Sequence, residues 1–142
     1  MLEQVTVFLE NDKGRLPALT KALAAAGVNM QALTIAETSD YGLVRIMCDK
    51  PEEAREALRA AEFRAITTQV LAVEVPNRPG GLAELLETFK KLDLNIEYGY
   101  CFTINGGMAC DILKISGAKE ASEAAKAVEA AGFKLLTLND IA

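Results

Sequence analysis

Val5, Val7 and Leu9 alternate with Thr6 and Phe8, the two-residue rhythm of a strand with one buried face. Leu71, Val73 and Val75 repeat it later in the chain, alternating with Ala72 and Glu74. In both places a glycine-bearing turn follows, and the rhythm lengthens to that of a helix. Leu16, Leu19, Leu23 and Ala26 fall on one helical face in the first instance, and Leu82, Leu85, Leu86, Phe89 and Leu92 in the second. Pro17 fits because it lies in the first turn. Two strands joined as a hairpin come next. In the second half, Ile96–Ile104 and Gly107–Ile115 flank Asn105-Gly106, a strong signal for a two-residue turn. In the first half the connection through Ser39-Asp40-Tyr41-Gly42 is longer. A second helix starts near Pro51, with Ala54, Ala57, Leu58 and Ala61 inward; its counterpart carries Ala121, Ala124, Ala125, Val128 and Ala131. Short strands near 64–68 and 133–138 close the two halves.

The halves also align residue by residue. Asn11-Asp12-Lys13-Gly14-Arg15-Leu16 matches Asn77-Arg78-Pro79-Gly80-Gly81-Leu82 at an offset of 66 residues, and the same offset sets Gly27-Val28-Asn29-Met30 on Asp93-Leu94-Asn95-Ile96. Farther on, Ala60–Arg64 corresponds to Ala130–Lys134. The pattern therefore predicts an α+β protein of two ferredoxin-like βαββαβ domains with antiparallel sheets, spanning 1–68 and 69–142. A unit this small buries only about 60% of its unfolded surface, so free sheet faces or edges are expected to pair, most simply in a homodimer.

Composition narrows the function. A net charge of -5 disfavours a nucleic-acid or anionic-membrane partner. No apolar run approaches the roughly 18 residues of a membrane span, and the N-terminus lacks a signal-peptide pattern, so a cytoplasmic location is expected. The chain has no histidine, which removes the commonest general base and metal ligand. Neither catalysis nor a cofactor is expected. The rival enzymatic reading would use Asp111 or Glu97 with a tyrosine, but no catalytic pair stands at a diagnostic spacing.

The duplicated turn is the chemical candidate. Exposed N–H groups at a helix start bind carboxylates or phosphates, and glycine lets a ligand approach the main chain. Asn11 and Asn77 either bond a ligand or simply cap the helix; Asn29 and Asn95, before the second strands, either face a ligand or serve as ordinary turn residues. Two further features have bland and sharp readings. A two-residue turn at Asn105-Gly106 sets Cys101 opposite Cys110, within disulfide reach, although reduced thiols on a buried face are the simpler reading. Ile96, Tyr98, Tyr100, Phe102 and Ile104 form a row better suited to burial against another domain than to stacking RNA bases.

Asn77-Arg78-Pro79-Gly80-Gly81-Leu82, followed by Leu94-Asn95-Ile96, resembles the ACT domain, with its Asp/Asn-x-Pro-Gly-x-Leu turn and Gly-x-Asn-Ile second-strand start. The first repeat keeps Asn11, Gly14, Leu16, Gly27 and Asn29 but has Lys13 in place of proline, and in the second Asp93 replaces the glycine. The resemblance implies a stand-alone regulatory protein that binds an amino acid and acts on a separate metabolic enzyme. The ligand would lie between the first-helix turn of one domain and the second-strand region of its neighbour. The residues so implicated are Asn11, Gly14, Arg15, Leu16 and Asn29 in the first repeat. In the second they are Asn77, Pro79, Gly80, Gly81, Leu82 and Asn95. A subunit that regulates its partner without a ligand is the alternative.

Overall fold

The structure is a computed structural model that describes residues 1–37 and 40–142; Ser39, in the first hairpin connection, lies outside the described residues. Its elements run β1 (Leu2–Glu10), α1 (Arg15–Ala25), β2 (Met30–Glu37), β3 (Tyr41–Cys48), α2 (Pro51–Ala60), β4 (Arg64–Pro76), α3 (Gly81–Glu87), β5 (Ile96–Ile104), β6 (Met108–Ile115), α4 (Ala118–Ala130), β7 (Lys134–Leu135) and α5 (Leu138–Ile141). Contacts divide the chain into an N-terminal unit, Glu3–Thr68 with Ala142, and a C-terminal unit, Gln69–Ile141 with Met1–Leu2. The strands expected near residues 64–68 and 71–75 are one strand, β4, unbroken for 13 residues.

In the N-terminal unit the strand order is β2-β3-β1-β4, and in the C-terminal unit β5-β6-β4-β7, the same antiparallel arrangement twice. Each sheet is covered on one face by helices. The first core gathers Val5, Val7, Val44 and Ile46 from the sheet with Leu19, Leu23 and Leu58 from the helices. The second gathers Leu71, Val73, Leu113 and Ile115 with Leu85, Ala124 and Val128. The small alanines let α4 sit close to the strands.

Four local features differ from the sequence expectation. Each second strand carries a bulge at the same place in its repeat, between Met30 and Ala32 and between Ile96 and Tyr98. The extra residue turns Ile96 towards the core, where it packs beside Ile115, so it does not belong to the row of Tyr98, Tyr100 and Phe102. Secondly, α3 buries Gly81 and Leu85, while Leu82 and Leu86, expected to face inward, are 46% and 37% exposed. Thirdly, the closing strand of the second repeat shrinks to two residues. The Asp140 carboxylate accepts bonds from the Thr137 N–H at 2.7 Å and the Thr137 hydroxyl at 2.9 Å, which starts α5 and ends the strand.

The fourth is the β5–β6 register. The turn takes three residues, with Gly106 and Gly107 both left-handed at φ 77° and 72°. Ile104 therefore pairs with Met108, Cys101 with Asp111, and Phe102 with Cys110. Cys101 and Cys110 point to opposite faces of the sheet, the first exposed and the second buried, and no disulfide links them. Burial, helped by Asp111, pushes the Cys110 thiol up to about 12, and burial also raises Cys48. Thiol titration of the native protein should therefore give one fast-reacting group, Cys101, and three after denaturation. Rapid reaction of a second thiol would contradict this register.

Candidate functional site

Gly14 and Gly80 begin the first helices of the two repeats, and both are left-handed, at φ 84° and 88°. A Cβ at either would meet nothing within 4 Å, so glycine is required there by backbone conformation and not by crowding. The N-cap positions of both helices are taken by these glycines, not by Asn11 or Asn77. At Gly81 the reason is different: a Cβ would overlap the carbonyl oxygen of Pro76.

In the first turn the Arg15 N–H bonds the Asp12 carbonyl at 3.3 Å and the Ala18 N–H bonds Gly14 at 3.1 Å. Pro17 has no N–H to offer. Among the described residues the Leu16 amide makes no backbone hydrogen bond, and it stands at the positive end of an 11-residue helix. Beside it is a cavity of about 210 Å³ lined by Leu9, Glu10, Asn11, Asp12, Leu16, Ile35 and Gly42. The structure thus brings Asn11 and Leu16 together, with two carboxylates and two further apolar side chains that sequence reasoning did not single out.

Arg15 faces a different space. Its guanidinium lies 4.2 Å from the Phe63 ring and its Nε is 4.0 Å from a Glu10 carboxylate oxygen. Together with Phe8, Tyr41 and Arg64 they line a cleft of about 400 Å³.

Asn29 and Asn95 do not join the turns of their own repeats. The Asn29 N–H donates to the Asp49 carboxylate at 2.9 Å, and the Asp49 N–H donates back to the Asn29 carbonyl at 3.1 Å. Asn95 is tied to Ser116, through its carbonyl at 2.9 Å and its side-chain amide at 3.3 Å. Because β2 runs parallel to β1, Asn29 and the Gly14 turn lie at opposite ends of the strands, about 23 Å apart by strand rise. In the second turn Asn77, Pro79 and Gly80 are exposed, Gly81 is buried, and Arg78 reaches over to Glu84 at 3.0 Å.

The ACT domain pair family model matches residues 1–131 of this sequence. The chain belongs to the ACT domain pair family. Among solved structures, this ACT pair is similar to protein BT0572 from Bacteroides thetaiotaomicron, with 32% identity, 98% of this chain and 94% of that chain covered, and a TM-score of 0.89. It shares its fold with the ligand-free regulatory subunit of aspartate kinase from Thermus thermophilus, at 21% identity, 92% coverage of both chains and a TM-score of 0.65. The corresponding subunit from Thermus flavus gives 19%, 91% of both and 0.61. No curated protein sequence matches the chain. Among the described residues no helix is long and apolar enough to cross a membrane.

Proposed function

We propose that this ACT pair, with domains over 1–68 and 69–142, is a non-catalytic regulatory protein that binds a small amino acid at its first-helix turns. It would act as a homodimer on a separate metabolic enzyme. The observation that carries the reading is the cavity at the Asn11–Leu16 turn. An amino acid's carboxylate suits the Leu16 amide at the helix start, which makes no backbone hydrogen bond among the described residues. Its ammonium suits Asn11, Glu10 and Asp12, and an aliphatic side chain suits Leu9, Leu16 and Ile35. About 210 Å³ lies below the roughly 300–1,000 Å³ of pockets for drug-sized ligands, which favours a small amino acid. In this reading Asn29, Asn95 and the second turn, from Asn77 through Pro79, Gly80 and Gly81 to Leu82, would contribute from a neighbouring domain. The names of the Thermus relatives, regulatory subunits of aspartate kinase, support a separate enzyme as the target.

Calorimetric titration with the twenty amino acids tests this. At least one should bind more tightly than millimolar, and Asn11→Ala should weaken it at least tenfold, about 1.4 kcal/mol. Absence of binding by all twenty, with tight capture of an enzyme partner, would favour the ligand-independent regulatory subunit instead.

A further inference from the structure

Asp111 is 5% exposed, in the middle of β6 and on the face that the helices cover. Its neighbours along that face are Ala109 and Leu113, both in the hydrophobic core. The thiol of Cys101, its cross-strand partner, hydrogen-bonds the carboxylate, yet Oδ2 is buried with no partner among the described residues. A buried carboxylate oxygen left unpaired is costly unless something else satisfies it.

That carboxylate lines a cleft of about 340 Å³, together with Leu82, Leu86, Ile96, Gly99, Cys101 and Leu113. Two features border the space. Leu82 and Leu86 stand exposed on α3, where burial of the whole helix face would have covered them. Gly99 has no left-handed φ to require glycine, but a Cβ there would meet the Leu113 side chain at 2.9 Å and the Ile112 carbonyl at 3.1 Å. A larger residue would crowd the wall beside Asp111. Apart from the Asp111 carboxylate, the Cys101 thiol and Tyr100, the lining is aliphatic, so it offers a counter-charge for a single cation and apolar contact for the rest of the molecule.

We propose that the cleft between α3 and the β5–β6 hairpin binds an aliphatic primary ammonium, with Asp111 as its counter-charge and the leucines around its hydrocarbon. Its lining shares no residue with that of the Asn11–Leu16 cavity, although Leu82 also ends the second turn named above. The Asp111 carboxyl titrates above the usual carboxylate range because of burial, opposed in part by the Cys101 hydrogen bond. A bound ammonium opposes the same desolvation and brings the titration down.

The test uses the full chain and two probes of the same shape, isopentylammonium chloride and uncharged 3-methylbutan-1-ol, followed by amide chemical shifts. The ammonium should shift the amides of Gly99, Cys101 and Asp111 saturably, at least tenfold more tightly than the alcohol. Asp111→Asn should lose that tenfold preference. In the unmodified chain, the carboxyl carbon of Asp111 should titrate at lower pH when the ammonium is present, a readout that does not depend on the variant folding. Equal affinity for the two probes, shifts confined to other residues, no saturable shift at millimolar ammonium, or an unmoved Asp111 titration would each overturn the proposal. Amino-acid shifts at Asn11 and Leu16 report separately on the first-helix turn, so either site can fail without the other.

Discussion

Replacing Gly81 by alanine is expected to destabilise the C-terminal unit by about 3 kcal/mol, the range for forcing atoms into a packed site. The added Cβ overlaps the Pro76 carbonyl oxygen, which belongs to the backbone of β4 and has no rotamer through which to retreat. Either the start of α3 or the end of β4 must shift. Gly80→Ala, one residue earlier, should cost only about 1–2 kcal/mol, since its Cβ meets open space and the penalty is the left-handed φ alone. Gly80→Asn should cost less again, because asparagine tolerates that conformation. Thermal or denaturant unfolding of the three variants checks the order. Equal losses for Gly80→Ala and Gly81→Ala would mean that conformation governs both positions and that the overlap is relieved cheaply.

Asp111→Asn is expected to stabilise the ligand-free protein at neutral pH. Burial raises the folded-state titration of Asp111, so its charged form is disfavoured in the folded chain. The sign follows from proton linkage. Below the unfolded carboxyl value, about 3.9, Asp111 is protonated in both states and asparagine should gain nothing from charge removal. As pH rises from there through the higher folded value, the unmodified protein loses stability relative to the variant, and above it the difference is constant. At pH 7 the gain should be on the order of 1 kcal/mol, the lower end of the cost of burying an unpaired polar group. Paired denaturation curves at pH 3.5 and pH 7 measure it. A variant that is less stable at neutral pH would mean that the carboxylate is satisfied within the fold. A gain in stability together with loss of ammonium binding is the pattern of a group kept for a ligand at some expense of stability.

The larger pattern was legible because each half obeys it twice. Strand alternation at Val5–Leu9 and Leu71–Val75 and the turns ending at Gly14 and Gly80 suffice for the topology. What could not be read was anything that depends on a single-residue slip. The bulges at Met30–Ala32 and Ile96–Tyr98 leave little trace in composition, yet they decide that Ile96 faces the core. The left-handed pair Gly106-Gly107 lengthens a turn for which Asn105-Gly106 alone suggests two residues. That moves Cys101 from Cys110 to Asp111, setting an exposed thiol opposite a buried carboxylate. Leu82 and Leu86 fit the apolar helix period as well as Leu85 does, and only packing distinguishes the buried row from the exposed one.

The same holds at the first turn. Asn11, Gly14 and Leu16 were visible from the repeat, whereas Ile35 and Gly42 reach the cavity from β2 and β3 and carry no local signal. Asn29 looks like a partner of that turn in the linear sequence, but parallel β1 and β2 carry it to the other end of its own sheet.

Amide chemical-shift mapping of the full chain with each amino acid that binds is the decisive measurement. The expected result is a saturable shift of the Leu16 amide, in the direction of hydrogen bonding to a carboxylate, accompanied by the side-chain amide of Asn11. An amino acid that binds tightly while leaving residues 11–16 unmoved would contradict the proposed site.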